Sequence, residues 1–200
     1  MLTDMTTRRM ELDAAALKAM AHPLRVQILR LLELHERVSV TSLAQELGET
    51  TGAVSYHLRQ LARHGLVEEG GDDDEAGHRT PGRRRRWWRM AVDEIHLDAV
   101  ALTRTEDTRE AFGFLARESG ADRSRRLAHW FASATSWPEE WQRAASDMDG
   151  TLRLDAAQTR ALADEIKAVI ARYRELPSGE GARRVDVQYA VFPADDRVRS

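Results

Sequence analysis

The 200-residue sequence contains no cysteine. This excludes disulfides, thiolate metal sites, iron–sulfur clusters and cysteine-based redox sensing. The sequence also has no apolar run near the roughly 18 residues that a membrane-spanning helix needs. Its first residues, MLTDMTTRRMELD, lack the apolar core of a secretory signal. These absences predict a cytoplasmic protein that does not associate with a membrane.

The overall charge hides a local contrast. Hydrophobic residues make up 42% and charged residues 32% of the chain, which is typical of a soluble globular protein, and the net charge is −3. Within this balance, residues 68–75 are rich in acids without a base, whereas residues 76–90 contain many arginines and no acid. Binding to nucleic acid depends on a local basic patch more than on the net charge of the chain. The negative net charge therefore does not argue against nucleic-acid binding.

Hydrophobic periodicity predicts helices followed by a hairpin in the first half. Helical patterns cover about residues 12–20, 23–35, 40–47 and 51–64. Ser39 and Thr50 are suitable N-caps for the last two helices. After Gly65 the pattern changes, and residues 66–69 and 85–92 are predicted as two strands joined by a long loop of turn-forming and charged residues.

The second half is predicted to be mostly helical. Helical patterns run over about 93–103, 105–135 and 155–176, and TLRL at 151–154 with RVDVQYAVF at 184–192 predicts a small two-stranded terminal sheet. The fold class is therefore α+β and mainly α. We expect a winged helix-turn-helix DNA-binding domain over residues 1–92. Residues 93–200 are expected to form a helical domain for dimerisation and effector binding, with the small β element.

Residues 40–64 have the length and turn of a helix-turn-helix. In its second helix Val54, Leu58 and Leu61 share one inward face. The opposite face carries small or hydrogen-bonding residues near its start and cations further along: Thr51, Gly52, Ser55, Tyr56, Arg59 and Arg63. A helix that enters the major groove needs short residues at close approach, donors for base edges and cations for phosphates. We predict that these residues contact DNA.

The arginines of the hairpin lie on or beside its loop: Arg79, Arg83, Arg84, Arg85 and Arg86. They are predicted to follow phosphates or to enter a narrow minor groove. Alternatively, they pair with the acids at 72–75 in a solvated loop. Their position directly after a helix-turn-helix favours a winged helix that binds double-stranded DNA.

Three stretches resemble the ArsR-type winged-helix regulator family: LKAMAHPLRVQILRLL, SVTSLAQELGETTGAVSYHLRQLARHGLVEE and RRRRWWRM. The resemblance covers about residues 12–92. It implies a homodimer that binds an inverted repeat in a promoter and changes affinity with a signal. The second half resembles the C-terminal extension of such regulators from high-GC bacteria. The near absence of lysine, with only Lys18 and Lys167, fits that source.

The sequence departs from the metal-sensing members of this family. Where they carry a cysteine pair near the third helix, this chain reads VSVTSLAQEL. His57 and His64 lie seven apart on one helix, whereas a helical ligand pair needs a spacing of three or four. We therefore expect no metal, no cofactor and a non-metal effector. Tyr56 stands where relatives commonly have a cationic or polar residue, so the operator is not predicted from them.

Two further hypotheses concern the effector and the function class. Trp130, Trp137 and Trp141 are a candidate pocket for a planar effector, although a core or dimer interface is the favoured role for these rings. The sequence has no GxSxG, P-loop, GxGxxG or HExxH motif, so we predict no enzyme activity. The alternative to a repressor is a winged-helix interaction module that docks an acidic partner through its arginine-rich wing.

Overall fold

The computed structural model describes residues 8–35, 37–70, 86–177 and 179–194. Its helices are α1 Ala14–Met20, α2 Pro23–Leu34, α3 Val40–Leu47, α4 Thr51–Arg63, α5 Ala99–Leu102, α6 Glu106–Ser133, α7 Glu139–Ala144 and α8 Ala156–Arg174, with a 3₁₀ turn at Ala134–Ser136. Its strands are β1 Arg9–Glu11, β2 Val38–Ser39, β3 Val67–Gly70, β4 Trp87–Met90 and β5 Glu94–His96. The prediction of a mainly α protein with a helix-turn-helix, a wing and a helical second half is confirmed.

Helices α3 and α4 begin where a side chain accepts from one of their first amide groups. The Ser39 hydroxyl accepts from the Ser42 amide at 3.1 Å, and the Thr50 hydroxyl accepts from the Ala53 amide at 3.2 Å. Gly48 ends α3 in the left-handed region, with φ of 66°, which glycine adopts without steric cost. Because α3 ends at Gly48 and Thr50 caps α4, the turn between the two helices consists of Gly48–Thr50.

Two small sheets flank the helix-turn-helix. β4 lies between β2 and β3 in an antiparallel sheet in which Trp88 pairs with Val38 on one side and Glu69 on the other. β1 and β5 form a parallel pair, with Met10 opposite Ile95. The sequence pattern predicted helix at residues 93–96, and this part of the prediction is wrong. A three-residue strand has too few positions to show an alternation, and its partner lies far away in sequence.

One hydrophobic core unites the N-terminal elements. Leu17, Ile28, Leu43, Leu58 and Leu61 are completely buried in it. Trp88 from the hairpin joins this core, whereas its neighbour Trp87 is only partly buried, as expected for successive residues of a strand. The core therefore fixes the hairpin against the helix-turn-helix.

The first half of α6 packs against the same core. Ala111 is buried there, and Phe112 and Leu115 lie against it. Arg30 of α2 donates to the Glu118 carbonyl at 2.8 Å and pairs with Asp122 at 3.5 Å. The chain forms two compact units, each defined by contacts among its own residues: Met1–Arg125 and Arg126–Ser200. The functional boundary between residues 92 and 93 remains a prediction.

The second unit contains well-formed helices but little packing. Asp155 and Gln158 form a reciprocal capping box at the start of α8, with hydrogen bonds of 2.8 and 3.0 Å. None of its described residues is buried, and Val169, Tyr173 and Leu176 of the predicted apolar stripe are about half exposed. The stripe therefore has no complete partner within the described part of this unit.

The predicted terminal sheet is not formed. Residues 151–154 and 183–194 contain no strand, and Val185, Val187 and Phe192 are exposed. An alternating segment becomes a strand only when another strand satisfies its backbone groups. The described residues of this unit offer none, so this part of the fold prediction is wrong.

Candidate nucleic-acid interface

The helix-turn-helix presents one face of α4 to solvent because the other is fixed in the core. Val54, Leu58 and Leu61 are completely buried. Of the residues predicted to contact DNA, Ser55 is half-buried and the others are exposed: Thr51, Gly52, Tyr56, Arg59 and Arg63. The structure therefore places all six on or at the edge of the outer face. Contact with DNA itself remains a prediction.

The cations on this face are available for a ligand. Among the residues that the structure describes, neither Arg59 nor Arg63 forms an ion pair. Both are exposed and follow the small and hydroxyl-bearing residues of the first turn. We expect this order along the helix to suit DNA, with hydrogen-bonding groups that include the Arg59 guanidinium for base edges and positive charge for phosphates.

The wing is described only at its base. Arg86 pairs with Glu69 across β3 and β4 at 3.1 Å, with 74% of the Arg86 side chain exposed. Such exposed ion pairs contribute about 0–1 kcal/mol, so a phosphate can replace Glu69 at little cost. The other predicted wing contacts lie outside the described residues: Arg79, Arg83, Arg84 and Arg85.

An ion-pair network connects the base of the wing to the N-terminal strand region. Glu68 accepts from Arg8 at 2.9 Å and from Arg89 at 2.8 Å. The hydrogen bond from Arg8, with the positive charges of both arginines, lowers the pKa of Glu68 below its usual range. The carboxylate therefore stays ionised and keeps Arg89 engaged within the protein, unlike the unpaired arginines of α4.

A cluster beside the recognition face was not foreseen from the sequence. The rings of His22, which precedes α2, and His57 of α4 lie 4.5 Å apart, and Tyr56 contacts His57 edge-on at 5.2 Å. His22 Nδ1 accepts from the Leu24 amide at 3.1 Å. Arg25 lies close enough for its charge to act on both imidazoles. The AHPLR segment was the only sequence signal for this cluster. Because it lies far from α4 along the chain, the sequence did not predict that the two would be in contact.

Both imidazoles of this cluster favour the neutral state. Burial lowers the pKa of His22 first, and the charge of Arg25 lowers it further. Burial also lowers the pKa of His57, with smaller effects from His22 and Arg25, while Glu49 acts in the opposite direction. His57 Nδ1 is buried and has no hydrogen-bond partner among the described residues. The folded state therefore resists protonation at this position.

We expect the free energy of unfolding to fall as the pH decreases below about 6.5. The folded histidines have a lower pKa than the unfolded ones, so the unfolded state binds more protons in this range and is favoured. Each histidine contributes a slope of at most about 1.4 kcal/mol per pH unit, which ends below the folded pKa. Urea unfolding followed by circular dichroism between pH 5 and 8 measures this. His57→Gln should flatten the slope, and an unchanged slope would contradict the assignment.

The three tryptophans of the candidate effector pocket are brought together. Ring centroids of Trp130 and Trp137 lie 6.0 Å apart, and those of Trp137 and Trp141 lie 6.5 Å apart. The Arg183 guanidinium stands over the Trp137 and Trp141 rings at 5.5 and 5.9 Å, a contact that sequence reasoning missed. All three rings are partly buried. The cluster is therefore an open aromatic surface with one cation on it.

No group of three or more histidine, aspartate or glutamate side chains in the described ranges is arranged to hold a metal ion. No helix in the described part of the chain is long and apolar enough to span a membrane.

Comparison with known proteins supports the helix-turn-helix. Residues 20–70 match a family described as a helix-turn-helix domain. This match covers α2, α3, α4 and β3, so the predicted helix-turn-helix is confirmed. With the hairpin of β3 and β4 that follows α4, the N-terminal unit has a winged helix-turn-helix fold. A comparison with curated protein sequences gives no significant match.

Several matching solved structures cover about half of this chain. The chain is similar to the homodimeric winged helix-turn-helix domain of a possible ArsR-family regulator from Mycobacterium bovis, with 26% identity over 54% of this chain and 77% of that one. It is also similar to HlyU from Vibrio cholerae, with 25% identity over 52% of this chain and 86% of that one. The TM-scores are 0.32 and 0.31. At these values the alignments do not support an inference about operator, partner or effector.

Proposed function

We propose that this protein is a cytoplasmic transcriptional repressor without enzymatic activity that binds an inverted-repeat operator as a homodimer. One observation carries the proposal: α4 buries Val54, Leu58 and Leu61 while it exposes a polar and cationic face. The buried side chains fix α4 in the hydrophobic core, and its opposite face remains available to bind DNA. The face fits the major groove, and the wing arginines fit the adjacent phosphates or minor groove.

Homodimerisation follows from the requirements of operator recognition. One α4 and one wing contact a single half-site, and two half-sites are read when two subunits lie about 34–36 Å apart along the DNA. We propose that α1 and the helices after residue 93 form the dimer interface. The exposed apolar side chains of Val169 and Tyr173 in α8, and of Leu176 just after it, support a contribution from the second unit.

The signal is proposed to be a planar, non-metal effector. Trp130, Trp137 and Trp141 offer aromatic faces for stacking, and Arg183 adds a positive charge at the same surface. An effector that binds this surface more tightly in the DNA-free state would shift the population away from the DNA-bound state. This mechanism requires differential affinity and no metal ligand.

Selection of bound genomic fragments, followed by fluorescence anisotropy, tests the DNA-binding proposal. The full-length protein is incubated with fragments at about 150 mM salt, and the selected duplex is compared with a scrambled duplex of equal length. We expect the selected duplex to bind at least ~10³-fold more tightly, as specific sites do. Light scattering of the complex should show two protein chains per duplex.

The same experiment distinguishes the alternative function. Equal affinity for selected and scrambled duplexes, or no binding to either, would contradict operator recognition. Binding of an acidic peptide through the wing arginines under these conditions would then favour the interaction module. A complex with one chain per duplex would contradict the homodimer but not DNA binding.

A further inference from the structure

The cluster of His22, Arg25, Tyr56 and His57 contains a cation without a carboxylate partner. Arg25 is half-buried, and its Nε is inaccessible and has no hydrogen-bond partner among the described residues. No ion pair of Arg25 with a described residue is formed, although Arg30 on the same helix is paired with Asp122. A guanidinium that has lost part of its hydration without an opposite charge is an unfavourable arrangement within the free protein.

The position of Arg25 in the fold indicates where the missing negative charge comes from. Arg25 lies three residues after His22 at the start of α2, and the His22 ring contacts His57 of α4, whose neighbour Tyr56 is 53% exposed on the outer face. Burial lowers the pKa of Arg25, which reflects the same loss of hydration. The neighbouring imidazoles are held neutral, so they add no positive charge. Among the described residues, Glu49 is a carboxylate whose charge reaches His57.

We propose that Arg25 binds a phosphate of the DNA backbone at the junction of α2 and α4, a contact that rests on the proposed DNA-binding function. A phosphate supplies the missing negative charge, and the two terminal Nη groups of the guanidinium, not the inaccessible Nε, donate parallel hydrogen bonds to its oxygens. The contact carries no sequence information, and it fixes the angle at which α4 enters the groove. Arg25 is thus a phosphate-binding residue from outside both the recognition helix and the wing.

The test measures how DNA affinity depends on salt in three variants. Wild type, Arg25→Gln, Arg25→Lys and the control Arg30→Gln bind a random-sequence duplex of about 30 base pairs in anisotropy titrations from 50 to 200 mM salt. Each lost phosphate contact reduces the slope of log K against log salt by about 0.9. Arg25→Gln should show this reduction and roughly five- to tenfold weaker binding to random and selected duplexes alike.

The other two variants distinguish the effect of the Arg25 charge from the effect of its guanidinium geometry. Arg30→Gln removes an equal charge from α2 but should keep the wild-type slope, because Arg30 is already paired within the protein. Arg25→Lys should keep the slope and bind more weakly, since lysine retains the charge without the bidentate fork. Thermal unfolding of each variant accompanies the titrations.

Each outcome decides between the alternatives. Wild-type slope and affinity in Arg25→Gln would overturn the phosphate contact while leaving DNA binding intact. A wild-type protein that binds no duplex would instead contradict the proposed function. If Arg25→Gln does not fold, Arg25→Lys decides: weaker binding with an unchanged slope supports the contact, and unchanged affinity overturns it.

Discussion

Replacement of Leu58 by alanine is expected to lower the free energy of unfolding of the N-terminal unit by about 2–5 kcal/mol. Leu58 lies on the inner face of α4 and is completely buried among the core side chains. Truncation removes apolar contacts and leaves a cavity that a close-packed interior fills only in part. Because domains are stable by only about 5–15 kcal/mol, this loss is a large share of the total.

The matched control is Leu34→Ala at the end of α2. Leu34 is 54% exposed, so the same chemical change should cost less than about 1 kcal/mol. Urea unfolding followed by circular dichroism gives both values at pH 7.5, where the histidine effect is small. Equal destabilisation in the two variants would contradict the orientation of α4 and, with it, the face assigned to DNA.

The sequence predicted the elements that contain strong local signals. α3 was predicted at its observed limits, and α4 was predicted with one extra residue at its end. In both helices a capping side chain marks the start, and an apolar stripe of helical period marks the buried face. The inward and outward faces of α4 follow from that period alone. The exposed face of α4 was therefore largely predictable.

Long-range contacts account for what was missed. β1 and β5 pair across more than eighty positions of sequence, and neither strand is long enough to show a pattern. The contact of His22 with His57 depends on how α2 crosses α4, which no local spacing encodes. The strand prediction for residues 184–192 was wrong for the opposite reason. This segment has a clear alternation, but the described part of its unit contains no strand with which it can pair. A pattern predicts an element only when the tertiary partner is present.

The last prediction divides DNA recognition between α4 and the wing. Arg59 stands on the exposed face of α4 without an ion pair among the described residues, where a guanidinium can donate two hydrogen bonds to a base edge. Arg59→Ala should weaken binding to the selected operator by about 1–3 kcal/mol and relax preference at one or two base pairs. Binding to a scrambled duplex should change much less.

Arg86→Ala is the matched variant from the wing. We expect Arg86 to exchange its exposed pair with Glu69 for a phosphate, so its loss should weaken binding to selected and scrambled duplexes alike and reduce the salt slope by about 0.9. Both variants are titrated on both duplexes across one salt series. Loss of specific binding only in Arg86→Ala, or equal losses in Arg59→Ala, would mean that the two roles are reversed. No change in either variant would mean that DNA binds to a different face, since these two arginines stand on the two elements that define this one.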